Sequence, residues 1–218
     1  MLFALGDPAS FVGLLLGFLA ALLLRASGLR LGRRLLGLPP GPRPALRTVV
    51  DPFGAVAAAV AGIGWGSCAD LDVRGTRGRR VLAVAFGPLA PLLAGVLLMI
   101  CYGLLFVDVP LGAGFTLQGF ATGGGVLADV LFGVAFELIC FALLDLLPLP
   151  PLDGFSLLWV AMRRPGPNAA RIRHTLVDNN VGPVILMFLC FFPLRGPYLL
   201  LPFEFLGGVL TAVLLVLT

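Results

Sequence analysis

The sequence predicts an all-α polytopic membrane protein with a single transmembrane domain over residues 1–218. Of its 218 residues, 59% are hydrophobic and 12% are charged, and the mean hydropathy is +1.06. Runs of about 18 or more mostly apolar residues can form helices that cross a bilayer. We expect about five to six transmembrane segments from the apolar stretches at 9–24, 48–66, 81–107, 126–147, 181–194 and 198–217.

The arginines set the expected topology. The net charge of +4 comes from arginine without lysine, and the arginines cluster in polar stretches that flank the apolar ones, at 25–47, 67–80 and 156–180. The positive-inside rule places such loops in the cytoplasm, and we expect a bacterial cytoplasmic membrane. The basic charge is expected to face anionic lipid headgroups, so lipid is a partner and nucleic acid is not.

The stretch 48–66 is apolar but differs from an ordinary span. Asp51-Pro52 interrupts it early, and Ala and Gly dominate the rest. If this stretch crossed the bilayer fully, the basic loops on either side of it would face opposite compartments. We therefore predict a re-entrant or broken segment, and six plain spans is the alternative.

Earlier in the chain, Gly13 and Gly17 have the GxxxG spacing that permits close helix packing.

The stretch LDLLPLPPLDGF, residues 144–155, carries the most specific pattern. Proline disfavours helix at the residue before it, so the apolar helix should break near Leu147 and leave an extended piece that carries Asp153. Irregular backbone at membrane depth persists only where protein or a water-filled cavity satisfies it. From the residues alone, the stretch is either such a loop or a helix that ends in a surface turn.

This stretch resembles the second signature of the site-2 protease family of intramembrane zinc metalloproteases. In that signature an Asn precedes a proline-rich loop that ends in Leu-Asp-Gly, and the resemblance implies that Asp153 is the third zinc ligand and that Asp145 stands at the Asn position. Further matches, in the family's order, are the groups Asp51-Pro52-Phe53-Gly54, Gly64-Trp65-Gly66 and Gly87-Pro88-Leu89-Ala90, and, less specifically, residues 176–182. The resemblance implies a site-2-protease-like helical bundle.

The family's HExxH motif, which supplies two zinc ligands and the catalytic Glu, is absent. The one histidine, His174, follows Asp153, whereas the motif should precede it. Counted back from Leu36-Gly37, the motif would fall on residues 25–29, which begin with Arg25; a second register covers 16–20. Neither register contains an imidazole or a carboxylate, and Arg25 would repel zinc.

A catalytic zinc generally needs three protein ligands, and Asp153, the one family ligand that this sequence matches, cannot supply them alone. A cluster of Asp51, Glu137, Asp145 and Asp153 would favour harder ions than zinc. We therefore expect no metal and no cofactor, with zinc only if unorthodox ligands exist. His174 has no partner at ligand spacing, and a solvated or headgroup-facing helix accounts for it.

The intramembrane acids Asp129, Glu137 and Asp145 are spaced by eight residues, so they spiral around the helix and form no single stripe. We expect packing or hydrogen-bonding roles, and Asp145 should accept hydrogen bonds from N–H groups of the loop. Glu204 should reach the interface. Trp65 and Trp159 fit either an interfacial belt or packing against the loop.

These observations favour a pseudoprotease that is not an enzyme and that binds a membrane partner or transmembrane segment, or serves as a subunit of a membrane complex. Its remnant site and groove would comprise Asp145, Pro148, Pro150, Pro151, Asp153 and Gly154. One alternative is an active intramembrane zinc metalloendopeptidase with unorthodox ligands. Another is a small proton-linked transport protein that uses Glu137 and Asp145.

Overall fold

The computed structural model describes residues 7–41, 43–67, 75–106, 124–163, 166–179 and 181–191, with residues 205, 206, 208, 209 and 213. The protein is an all-α membrane protein, as predicted. The helices are α1 (Pro8–Leu35), α2 (Leu46–Val49), α3 (Pro52–Ala61), α4 (Arg77–Leu105), α5 (Val126–Asp145), α6 (Asp153–Ala161), α7 (Pro167–Arg173) and α8 (Val181–Phe191), with a π-helical turn at His174–Asp178 before α8.

Among the described residues, three helices, α1, α4 and α5, are long and apolar enough to cross a membrane by length and composition. They pack against one another in every pair, α6 packs on α4, and α3 packs on α8. Aromatic side chains of α5 fill the centre, where Phe132 and Phe136 are fully buried and stack at 6.0 Å. Leucines of α4 such as Leu93 and Leu97 stay exposed, as expected for side chains that face lipid. The predicted span 198–217 lies largely outside the described residues.

Helix α1 extends well beyond the span predicted at 9–24. It continues to Leu35 and so runs through the first part of the predicted loop 25–47. Arg25 and Arg33 lie on this extension and are buried. Two glycines let it lie against α4, since a Cβ on Gly28 would be 2.7 Å from the Cβ of Ala90, and a Cβ on Gly32 would be 2.9 Å from a carbonyl oxygen of α4. At Arg25 and Arg33 the charge therefore marks a buried position and not the end of the helix.

The predicted close packing at Gly13 and Gly17 is confirmed. A Cβ on Gly13 would stand 3.0 Å from the carbonyl oxygen of Val130, and a Cβ on Gly17 would stand 2.7 Å from the Cβ of Glu137. The spacing at Gly17 is too short for a side chain and that at Gly13 is tight, so α1 and α5 approach closely at the glycines.

The predicted break in 48–66 is confirmed. Helix α3 has ten residues, begins at Pro52 with the Asp51 carboxylate accepting from the N–H of Gly54, and ends at Gly62, whose φ of 96° is left-handed. The chain then returns, because Val50 and Gly66 form an antiparallel bridge. The ends of the segment are therefore adjacent, as they are not in a helix that crosses a bilayer.

The interfacial-belt interpretation of Trp65 is wrong. Its side chain is fully buried in the main apolar core. The backbone of Trp65 also lies so close to α3 that a Cβ on Gly54 would overlap its carbonyl oxygen. Packing of the returning chain against α3 thus places this indole in the interior.

Candidate functional site

The proline-rich loop joins α5 to α6. Helix α5 ends at Asp145, two residues before the predicted break, and α6 begins at Asp153. The prediction of an extended piece that carries Asp153 is wrong, because residues 146–152 form turns and a helix begins at Asp153, whose N–H donates to Asp145. The turns between them are closed by hydrogen bonds from Leu147 N to Leu144 O, 3.0 Å, and from Leu152 N to Leu149 O, 2.9 Å. The peptide bond between Pro150 and Pro151 is cis.

Glycine at position 154 lets the loop fold back on the end of α5. A Cβ on Gly154 would overlap the carbonyl oxygens of Leu146 and Leu147. Pro150, Pro151 and Gly154 are buried, whereas Pro148 is exposed. The loop is therefore fixed against the bundle and presents one edge outward.

Asp145 and Asp153 meet across this loop. Both side chains are buried, and the backbone N–H of Asp153 donates to Oδ1 of Asp145 at 3.1 Å. The predicted hydrogen bond from the loop to Asp145 is thus confirmed. The first N–H groups of a helix have no partner within the helix, so Asp145 satisfies one of them at the start of α6.

The side chain of Arg25, from α1, lies between the two carboxylates. Its Nε donates to Oδ2 of Asp145 and to Oδ2 of Asp153, both at 2.9 Å, and its Nη2 donates to Oδ1 of Asp153 at 2.5 Å. Its Nη1 donates to the carbonyl oxygen of Ser67 at 2.8 Å. All three guanidinium nitrogens are therefore engaged, and α1, α5, α6 and the end of the broken segment converge on one cation. We call Arg25, Asp145 and Asp153 the arginine triad.

Burial makes the arginine triad an interior ion cluster. The exposed fraction of each of the three side chains is 4% or less. A buried charge is tolerated when it is paired and hydrogen-bonded, and here two carboxylates share one guanidinium. Two glycines make room for it: a Cβ on Gly87 would overlap Oδ2 of Asp153, and a Cβ on Gly66 would lie 3.0 Å from Nη1 of Arg25.

The structure favours the motif register that begins at Arg25. Leu29 lies one turn later on the same face of α1. The Cδ2 atom of Leu29 is 3.0 Å from the position that a Cβ on Gly87 would occupy, and Oδ2 of Asp153 borders the same position. Arg25 and Leu29 therefore both flank Asp153. The register over 16–20 does not, because Leu16 is 48% exposed and Gly17 packs on Glu137.

The described residues do not provide a set of side chains suited to bind zinc. They contain no group of three or more His, Cys, Asp or Glu side chains that could hold a metal. Of the four acids considered together, Asp145 and Asp153 meet, while Asp51 caps α3 and Glu137 lies about 12 Å from Asp145 along the helix axis. The two carboxylates that meet already hold Arg25. The expectation that no cofactor is bound stays a prediction.

The remaining acids of α5 lie apart from the arginine triad. Glu137 is fully buried, and neither of its carboxylate oxygens has a hydrogen-bond partner among the described residues. Asp129 lies in the first turn of α5, about 24 Å from Asp145 along the axis. The three acids thus form no continuous chain along the helix. Glu204 lies outside the described residues.

His174 and Trp159 both follow the loop in the sequence. His174 begins the π-helical turn and is exposed, and the preceding helix α7 has no buried residue, which agrees with the predicted solvated helix. Trp159 stacks on Phe155 at 6.5 Å between ring centroids, and the guanidinium carbon of Arg173 lies 5.1 Å from its ring. Trp159 therefore packs next to the loop.

An apolar pocket opens beside the exposed edge of the loop. Its volume is about 70 Å³, and it is lined by Leu149, Pro150, Leu176, Gly182, Ile185 and Leu186. The loop supplies one wall, and the π-helical turn and α8 supply the other. The two walls touch near their base, because a Cβ on Gly182 would lie 2.9 Å from the Cβ of Pro150.

A comparison with curated proteins finds similarity to a protein of Bacillus subtilis (strain 168) named "Putative zinc metalloprotease YwhC". The two chains are 30% identical over 154 residues, which is 70% of this chain and 65% of the relative. The match thus spans less than two thirds of the relative's length. No family model matches the chain, and no solved structure matches it.

This comparison supports a zinc-metalloprotease-like membrane protein. It contradicts the prediction that the chain is not an enzyme, because the relative is named as a protease. That prediction rested on residues missing from the family's motifs, above all the HExxH motif, and the similarity over 70% of the chain points toward a protease.

Proposed function

We propose that this chain is a member of the site-2 protease family and that it binds an apolar peptide segment of a membrane protein beside the proline-rich loop. The observation that carries the proposal is the apolar pocket between Leu149 and Ile185, which lies at the loop that also positions Asp153. The loop motif and the similarity to a zinc metalloprotease support the same assignment.

An apolar membrane segment is the occupant that suits this pocket. Its lining consists of leucine, isoleucine, proline and glycine, so it offers hydrophobic contact and no charged partner. The adjacent exposed edge of the loop is also apolar, and Leu146 is 45% exposed.

Site-specific photocrosslinking tests the proposal. A photoreactive residue at Leu149, and another at Ile185, should crosslink a synthetic apolar peptide of about 20 residues, long enough to span a bilayer, in proteoliposomes. Both positions line the pocket. Phe155, although it is only two residues from Asp153 in sequence, is a poor probe because it is 9% exposed.

The matched control places the same photoreactive residue at Leu97. This leucine lies on α4, is 63% exposed, and does not line the pocket. We expect it to crosslink lipid. Equal peptide yields at Leu149 and Leu97, or lipid adducts alone at Leu149, would contradict the proposal.

Peptide hydrolysis is a second candidate function, and the name of the relative favours it. The same proteoliposomes test it when the peptide is analysed by mass spectrometry after incubation with and without added zinc. Fragments that appear with wild type and not with Asp153→Asn would support hydrolysis at this site. Crosslinking without fragments would leave the binding proposal standing alone.

A further inference from the structure

The arginine triad presents the chain's own cation to the carboxylate that the family resemblance assigns to zinc. We propose that Arg25 takes the place of a metal ion in this site, and that zinc is not taken up at Asp153 while Arg25 is present. The inference does not depend on peptide binding, since it concerns what Asp145 and Asp153 hold.

The contacts of Arg25 are those of a resident cation. The guanidinium donates hydrogen bonds to both carboxylate oxygens of Asp153 and to one of Asp145, at 2.5 to 2.9 Å. A planar guanidinium matches a carboxylate in this two-point manner. An arriving zinc ion would have to separate these charges in a site whose side chains are 4% exposed or less.

The cation also joins four parts of the fold, as a structural metal would. Arg25 belongs to α1, Asp145 ends α5, Asp153 begins α6, and Ser67, whose carbonyl oxygen accepts from Nη1, follows the broken segment. The guanidinium therefore supplies both the charge and the connections. A metal ion at the same place would be redundant.

Leu29 is a second residue of α1 that lies beside Asp153. Arg25 and Leu29 are one turn apart on α1 and both flank Asp153 of α6. Imidazoles at these two positions would therefore lie on the face of α1 that is next to that carboxylate. Two histidines at i and i+4 with a carboxylate form a known class of zinc site. The fold therefore brings positions 25 and 29 next to Asp153, and the side chains there are a cation and a hydrocarbon.

Zinc binding by purified full-length protein in mild detergent tests the inference. Three forms are compared: wild type, the double variant R25H/L29H, and the triple variant R25H/L29H/D153N. Each is incubated with excess zinc, freed of loose metal by gel filtration, and analysed for zinc per chain. The readout is metal content and needs no peptide or activity.

We expect wild type to retain no more zinc than a buffer control and the double variant to retain about one zinc per chain. The triple variant should lose it, because its carboxylate is gone. Adding zinc should raise the melting temperature of the double variant and leave that of wild type unchanged.

Two outcomes would overturn the inference. One is wild-type protein that retains about one zinc per chain and is stabilised by it, a result that does not depend on any variant folding. The other is a double variant that elutes as a single species with wild-type helical content and yet retains no zinc. Peptide crosslinking at Leu149 is unaffected by either outcome, so the two proposals fail separately.

Discussion

Arg25 and Asp153 lie 128 residues apart in the sequence and form a two-point ion pair, with Nη2 to Oδ1 at 2.5 Å and Nε to Oδ2 at 2.9 Å. The pair joins the middle of α1 to the first residue of α6. It therefore fixes the proline-rich loop to the bundle at the point where the sequence pattern is most specific.

Replacing Arg25 by methionine should destabilise the fold strongly. The substitution keeps a long side chain and removes the cation, which leaves Asp145 and Asp153 buried without compensation. Breaking a buried ion pair by removing one partner costs about 3–5 kcal/mol. Thermal unfolding in detergent, followed by helical circular dichroism, measures the loss.

Arg34→Met is the matched control for Arg25→Met. Arg34 belongs to the same helix and is exposed, so its loss should change stability by less than about 0.5 kcal/mol. Arg25→Lys should fall between the two, because lysine keeps the charge and loses the planar fork. Equal melting temperatures for Arg25→Met and Arg34→Met would show that the pair does not stabilise the fold.

The role of Arg25 illustrates what the sequence could and could not reveal. Hydropathy and proline placement predicted the apolar helices, the break at Asp51-Pro52 and the loop after Asp145, because each depends on residues close together in the chain. The partners of Arg25 lie 120 and 128 residues away. A local window counts a buried, paired arginine as the end of a span, and so the prediction ended α1 at or shortly after residue 24.

Trp65 shows the same limit for packing. Its amphipathic ring suits an interface, and the sequence alone offered that position or contact with the loop. In the structure Trp65 is buried, because the returning chain packs closely against α3 at Gly54. The one useful signal for Arg25 was the family register over residues 25–29, which placed a cation at a ligand position without showing what it would bind.

Asp145 should tolerate asparagine much better than leucine. Asparagine keeps an acceptor for the N–H of Asp153, now 3.1 Å from Oδ1, and leaves Arg25 paired with Asp153. Leucine removes the acceptor and leaves a buried N–H unsatisfied, which costs about 1–3 kcal/mol. Thermal unfolding of the two variants side by side measures the difference. A leucine variant as stable as the asparagine variant would mean that this hydrogen bond contributes nothing.

Gly87→Ala should disturb the arginine triad from the opposite helix. The new Cβ would overlap Oδ2 of Asp153, so the carboxylate that Arg25 holds must shift. We expect a loss of stability of about 1–3 kcal/mol, the usual range for overpacking a filled interior. Gly78→Ala is the matched control on the same helix, because a Cβ there meets nothing within 4 Å. Since alanine favours helix over glycine, the control should be neutral or slightly stabilising; equal losses in both variants would contradict the predicted clash.

Glu137→Met should leave the fold as stable as wild type or make it more stable. The carboxylate oxygens of Glu137 are buried without a hydrogen-bond partner among the described residues, so the polar end costs desolvation and gains little. Methionine keeps the Cβ and Cγ atoms against which Gly17 packs. Leu138→Met, at the neighbouring buried position, controls for introducing a flexible side chain and should cost less than about 1.5 kcal/mol. A melting temperature for Glu137→Met far below that of Leu138→Met would mean that the carboxyl group of Glu137 makes a stabilising contact. Separately, pH-dependent proton flux through wild-type protein in liposomes that Glu137→Met abolishes would support the transport alternative.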